Sequence, residues 1–543
     1  MYAEIMPKAA PIRSASVVNG RTALFLVLAL AAVLRLAGLA HAPLWEDEVA
    51  TRWFASLSWH DLLLGVGRLE TNPPGFYAIE KLWTGLFGSS DLALRLPSAL
   101  AGIAAVAVVW ATTRASFGCG PAIWTCLLLA THPQHLLYAR EARTYAVLFL
   151  TVAIAVHAAR RLAGCSGAGG RMTAVVLGLA TGSAAYLHYT GVIAAASVFI
   201  AALVTALRAD GSPSHRIRLL FGAGSLGALV AAPVLLSAAM LAGDGANNAS
   251  WIAVPDATLA SVIVLFVLVS LKGLNQMPIG LGLTVFTLGG LVVAAALRWA
   301  ARHAVRDLNA SFYLTGLVAA LALMVGISQV RPVLIERTVL FTLVFFLPLL
   351  GSMLAAMPGP RRNAVLALLL VIGFPGLLRV FEPLRLGEDW PRLGADLQAE
   401  VSATGWPVIA YGGFEAVALD GTLPADSPAR VRVTMTSAVG AGLNDEVSRY
   451  LGATPVSMRA SPAELCAALG HPGGAILVLR KDVLTPMKLG IGELLAAAGG
   501  TMEGGAAHGD AVRTDTWAST GDALGYQRWP GVCTSDRPWL SGR

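Results

Sequence analysis

Apolar runs of spanning length recur along the first 380 or so residues, separated by short segments that carry most of the arginines, and then stop. A helix needs about 20 apolar residues to cross the hydrocarbon core, and within lipid every backbone polar group must be paired inside the segment. The pattern therefore dictates a bundle of transmembrane helices. Composition agrees: of 543 residues 56% are hydrophobic and 13% charged, and mean hydropathy is +0.67, which no ordinary water-soluble globule shows. From Phe381 to Arg543 the chain carries mixed charges, glycine and proline instead. A membrane domain, residues 1–380, and a soluble domain, residues 381–543, follow.

The formal charge of +7 does not point to nucleic acid, because no basic stripe is interleaved with aromatics. The arginines sit between apolar runs and act as topology signals, since arginine and lysine favour the cytoplasmic loops. Lys8, Arg13 and Arg21 precede a first run, Thr22 to Ala40, that is long enough to span and has no obvious cleavage site, so it reads as a retained helix. The chain then stays outside from residue 41 to 94, because the one apolar piece there, Pro73 to Gly88, is short and contains Glu80 and Lys81. That piece reads as an interfacial helix.

Threading onward, helix two (about Arg95 to Thr113) ends at Arg114 inside, and helix three (about Pro121 to Leu137) brings residues 138–144 out as a second external loop. Arg160, Arg161, Arg171, Arg208, Arg216, Arg218, Arg298, Arg302, Arg306, Arg361 and Arg362 then all fall inside, provided Leu259 to Leu271 is a half-helix in an outer loop. The result is about eleven spans, or up to thirteen if the short apolar pieces cross, with the soluble domain outside.

This threading concentrates acids on the outer face: Glu46, Asp47 and Glu48 after the first helix, Glu70 and Glu80 further on, and Glu141 after the third. Carboxylates at the end of a membrane helix are costly to desolvate without a partner or a task. The triple acid beside Trp45 either forms a solvated loop that orients the first helix or supplies a base for an acceptor hydroxyl. Asn72, Pro73 and Pro74, followed by Tyr77, make a rigid turn that also suits the mere start of a helix. In the second loop, Arg140 and Arg143 have the forked geometry that grips phosphate, although Arg143 and Glu141 can equally pair with each other. Arg331 and Arg337 lie outside against the usual bias of positive charge, facing either a bound anion or lipid headgroups.

The segments LWEDE, TNPPGFY, ALRLPSALAG, YAREARTYA, LHYTG and RPVLIERTVLF occur in an order that resembles the GT-C class of membrane glycosyltransferases over roughly the first 345 residues. The similarity is to the family 39 or 83 type, related to protein mannosyltransferases and lipid A aminoarabinose transferases. It implies a polytopic helical GT-C fold of about 11–13 spans with a C-terminal soluble α/β domain, in the bacterial inner membrane, with the active site and that domain facing the periplasm. It implies transfer of a sugar from a polyprenyl-phosphate carrier to a lipid, glycan or protein acceptor, with inversion. Asp47 and Glu48 map onto the catalytic acidic pair, Asp47 as base or acceptor-orienting group. Glu46, Asn72, Pro73, Pro74, Tyr77, Arg140, Glu141, Arg143, Tyr145, His188, Tyr189 and Arg337 map onto substrate-binding positions, Arg337 as the carrier-phosphate ligand. The family often has histidine where this chain has Asn72, which weakens a metal site; Glu46, Asp47 and Glu48 keep a divalent cation open as a cofactor.

No Walker-type loop or dinucleotide fingerprint is present, so no nucleotide cofactor is expected. In the soluble domain, Pro407 to Tyr411 and Ala475 to Leu479 read as strands, Glu388-Asp389-Trp390 opens a helix, and Cys466 and Cys533 are the pair able to form a disulfide. The competing reading, a transporter or flippase of a lipid-linked sugar, predicts repeated halves and midplane binding groups. The ionisable residues cluster at outer helix ends instead.

Overall fold

The computed structural model describes residues 19–65, 72–163, 170–211, 213–241, 252–271, 278–382, 388–411, 413–424, 426–436, 448, 451–470, 472–480, 485–503, 518–519 and 524–534. The expectations for Lys8, Arg13 and Glu70 lie outside them.

The helices of the membrane part are α1 (Gly20–Leu36), α2 (Glu46–Ser56), α3 (Gly75–Phe87), α4 (Asp91–Phe117), α5 (Cys119–Thr131), α6 (Pro133–Tyr138), α7 (Tyr145–Ala163), α8 (Gly170–Leu187), α9 (Thr190–Arg208), α10 (Pro213–Leu241), α11 (Ala257–Leu268), α12 (Ile279–Ala304), α13 (Leu308–Ser328), α14 (Leu343–Ala356) and α15 (Gly359–Val380). Among the described residues seven are long and apolar enough to cross a membrane unaided: α4, α7, α9, α10, α12, α13 and α15. The shorter α1, α5, α8 and α14 lie where the sequence places further spans. α11, at 12 residues, is the expected half-helix. Large apolar side chains such as Phe25, Leu229, Leu236 and Ile279 point outward, as lipid-facing residues do.

Helix three of the sequence reading is interrupted at His132. Pro133 lacks the N–H needed to continue α5 and instead occupies the first turn of α6, where no such donor is required. At one end Arg160 donates to Asn309 Oδ1 at 2.6 Å and Arg208 to Ser311 Oγ at 2.5 Å, so the basic helix ends meet. At the other end the loops after α1, α6, α8 and α13 converge.

The soluble part comprises α16 (Trp390–Thr404), β1 (Val408–Tyr411), α17 (Gly413–Asp420), β2 (Val431–Thr436), β3 (Thr454–Ser457), α18 (Pro462–Leu469), β4 (Gly474–Arg480), α19 (Thr485–Ala497), β5 (Ala518–Ser519) and β6 (Leu524–Pro530). The sheet order is β3-β2-β1-β4-β6-β5; the first four strands are parallel, whereas β6 is antiparallel to β4 and to β5. Both expected strands are present, and Cys466 and Cys533 form a disulfide. The lower face of this domain is not closed by itself: Trp390, Leu393 and Leu397 share one apolar cluster with Leu44, Val49, Leu94 and Ala142 of the membrane part.

Candidate active site

The site is built on the first turn of α2. Glu46, Asp47 and Glu48 fill that turn, where unpaired N–H groups and the helix dipole favour carboxylates. Successive helical residues project about 100° apart, so three adjacent acids must point three ways. Glu48 turns inward and is fully buried. Its Oε1 accepts from Arg95 Nε at 2.7 Å and from the Ala142 N–H at 2.8 Å, and its Oε2 accepts from Arg95 Nη2 at 2.5 Å and from the Trp45 N–H at 3.4 Å. Arg95 spends its remaining donors on the carbonyls of Leu39, Ala42 and Pro43. This network ties the first external loop, α4 and the second loop into one body.

Asp47 is only partly buried, its side chain 22% exposed. Its Oδ2 lies 3.3 Å from Arg143 Nη2 and 3.7 Å from Arg337 Nη1. Arg143 Nη1 also donates to the Asp47 carbonyl at 3.3 Å and to the Tyr77 hydroxyl at 3.4 Å. The loop that carries Arg143 is fixed by Ser98 Oγ, which donates to the Arg143 carbonyl at 2.9 Å, and by Thr144 Oγ1, which donates to the Leu187 carbonyl at 2.8 Å. Arg337 stands over the Tyr145 ring, with 5.9 Å between the guanidinium carbon and the ring centroid. Tyr145 packs against Tyr138 and His188. Burial, with Arg337 and Arg143 nearby, pushes the His188 imidazole down to about 3, so it stays neutral; its Nδ1 accepts from the Thr190 N–H at 3.1 Å.

The structure thus brings Asp47, Tyr77, Arg143, Tyr145, His188 and Arg337 together from four separate loops. Other sequence candidates lie elsewhere. Arg140, read as a phosphate ligand, instead donates to the carbonyls of Leu34, Arg35, Ala37 and Gly38 and closes the C-terminal end of α1. Tyr189 packs against the cluster of Ala185, Ala231 and Val234. Asn72, Pro73 and Pro74 set the start of α3. There Gly75 lies against the backbone of α8, and a Cβ at this position would come within 2.4 Å of the Tyr186 carbonyl oxygen. Glu141 is buried, 3% exposed, and its charge is felt by Arg95 and Tyr138.

The three adjacent acids diverge, so they do not form the cation site they offered on paper; among the described residues no three metal-ligating side chains converge. Sequence reasoning passed over Arg95, although it stands in the motif ALRLPSALAG, because a single arginine does not announce its partner. Glu80 is also unforeseen. It is fully buried on the face of α3 that carries Tyr77, and neither carboxyl oxygen has a hydrogen-bond partner among the described residues. Burial, with Glu48 nearby, pushes its carboxyl up to about 9.

A profile of the dolichyl-phosphate-mannose-protein mannosyltransferase family matches residues 71–237. No curated protein matches by sequence. Among solved structures, ArnT from Cupriavidus metallidurans in the apo state superposes with a TM-score of 0.62 at 14% identity, covering 95% of this chain and 99% of that one. The same protein bound to undecaprenyl phosphate gives 0.59 at 14% identity over the same shares. AglB from Archaeoglobus fulgidus, in complex with an inhibitory peptide and a dolichol-phosphate, gives 0.51 at 11% identity, covering 89% and 72%. At such identities the likeness is one of fold: the chain is a polytopic helical membrane protein with the GT-C fold, and its residues 71–237 match the mannosyltransferase family profile.

Proposed function

We propose that the chain transfers a sugar from a polyprenyl-phosphate carrier to a lipid, glycan or protein acceptor on the outer face of a bacterial inner membrane, with Asp47 as the catalytic base or acceptor-orienting group. The observation that carries this reading is the partly exposed Asp47 carboxylate held between two guanidinium groups, those of Arg143 and Arg337. Support also comes from the fold neighbours that were solved with undecaprenyl phosphate or dolichol-phosphate.

In the reaction the acceptor hydroxyl oxygen attacks the anomeric carbon, the bond from that carbon to the phosphate oxygen breaks, and configuration inverts. The electron pair leaves with the polyprenyl phosphate, and the acceptor proton passes to Asp47. The phosphate gains one negative charge as it departs, and the two arginines stabilise that charge as it develops. The carrier phosphate competes with Asp47 for both arginines, so its arrival frees the carboxylate for the acceptor. Glu48 serves as a positioning residue, because its lone pairs are committed to Arg95, Ala142 and Trp45. No step is routed through a metal, since the acids do not converge.

The Cys466–Cys533 disulfide supports an oxidising, non-cytoplasmic location for the soluble domain. The test is release of free polyprenyl phosphate from a panel of radiolabelled polyprenyl-phosphate sugars, using membranes with equal amounts of wild type or Asp47→Asn. Acceptor-dependent release that disappears in the variant is expected. Equal release from both removes Asp47 from the chemistry, and carrier movement across the bilayer without cleavage favours a flippase.

A further inference from the structure

The soluble domain touches the membrane part at the helix that carries Asp47. Glu388, 5% exposed, lies immediately before α16, and its Oε2 accepts two hydrogen bonds. One comes from the Glu46 N–H at 2.7 Å, across 342 positions of sequence, and the other from Trp390 Nε1 at 2.9 Å. Glu46 opens α2, so the acceptor satisfies one of the otherwise unpaired donors of that helix beside its positive dipole end. Trp390, fully buried, fixes the carboxylate by its indole N–H and packs in the cluster that includes Leu44 and Val49 on either side of this turn. A second contact lies further along α2. Arg52 Nη2 donates to the Gly421 carbonyl at 3.0 Å, and a Cβ on Gly421 would come within 2.7 Å of Val49 Cγ1, so a side chain there would have to displace Val49.

From these contacts we propose that the soluble domain is a clamp on the catalytic helix, with Glu388 as a positioning residue that fixes the backbone one residue before Asp47 and Gly421 as the second jaw. The inference rests on the reading of Asp47 given above. Glu48 and Arg95 hold this turn from the membrane side; Glu388 holds it from the opposite side. A reacting group displaced by about 1 Å loses roughly a hundredfold in rate. Loss of the clamp should therefore appear in turnover rather than in donor binding.

The experiment compares Glu388→Ala, Glu388→Gln and Gly421→Val in the full-length protein, by turnover and by hydrogen–deuterium exchange of peptides spanning residues 44–56. In Glu388→Ala, kcat should fall about 10- to 100-fold while the donor KM stays within roughly threefold. Glu388→Gln should recover most of the loss, because its amide oxygen accepts from both N–H groups. Exchange over residues 44–56 should quicken in Glu388→Ala and Gly421→Val while β1 and β4 keep their protection. Wild-type exchange and kcat in Glu388→Ala would overturn the proposal. So would loss of protection throughout the soluble domain in both the Ala and Val variants, since the contacts would then serve only the stability of that domain. If Asp47→Asn is fully active or no carrier is cleaved, the functional reading fails while the exchange data still decide the clamp.

Discussion

Replacing Glu48 by glutamine separates a positioning carboxylate from a catalytic one. Glu48 is fully buried and accepts four hydrogen bonds, two of them from the guanidinium of Arg95, itself 2% exposed. The amide keeps one acceptor oxygen but, whichever way it turns, its NH2 faces one Arg95 N–H and one backbone N–H, so donors face donors, and the buried Arg95 loses the carboxylate charge it is bonded to. Breaking one side of a buried ion pair costs about 3–5 kcal/mol. The Asp47 pairs are partly exposed and longer, and pairs of that kind contribute about 1 kcal/mol or less. In detergent, followed by tryptophan fluorescence, Glu48→Gln should lower the melting temperature by roughly 5–10 °C whereas Asp47→Asn shifts it by about 2 °C or less. Adding Arg95→Met to Glu48→Gln should recover part of the loss, because no uncompensated charge remains. The reasoning is refuted if Glu48→Gln melts like wild type yet loses turnover as completely as Asp47→Asn, which would place Glu48 in the chemistry.

Glu80 predicts a pH effect of definite sign. Its carboxyl sits at about 9 in the fold against an ordinary 4.5, so the folded state keeps a proton that the unfolded state releases. Stability should therefore fall as pH rises from about 4.5 to 9, by about 3 kcal/mol at pH 7, and Glu80→Leu should flatten that decline in a series of melting curves. Arg140→Ala uncovers four carbonyls at the end of α1 and should lower the melting temperature while leaving the donor KM unchanged; Arg337→Ala should raise the donor KM several-fold with little effect on melting. Cys466→Ser opens a loop of 67 residues, for which the chain-entropy account gives about 4 kcal/mol. The loss should be confined to exchange protection in the soluble domain and be reproduced by a reductant.

Helix positions were legible because lipid imposes a simple grammar. Each span must be long and apolar, and each cytoplasmic turn gathers arginine, so parity alone placed Asp47, Arg143, His188 and Arg337 on one side. The soluble strands were legible as short apolar runs because a parallel sheet buries both faces. What the sequence could not display was the use of each charge. Arg140 and Arg143 stand three residues apart in one motif, yet one closes α1 and the other reaches Asp47; Asp47 and Glu48 are neighbours, yet one is partly exposed and the other fully buried.

Those assignments depend on which donor or acceptor another segment leaves unmatched at that point, and the segments are distant in the chain. The end of α1 has unpaired carbonyls, so the nearest forked cation is drawn there. The start of α2 has unpaired N–H groups, and Glu388 satisfies one of them from 342 positions away. Arg95 has to neutralise a carboxylate that the helix turn directs into the protein interior. Once these demands are met, Asp47 is the acid of its turn that keeps a partly exposed carboxylate, paired with Arg143 and Arg337. The site is thus defined as much by the charges that the fold consumes as by those that the motifs supply, which is why a motif alone does not tell that Arg140 donates to the end of α1 while Arg143 reaches Asp47.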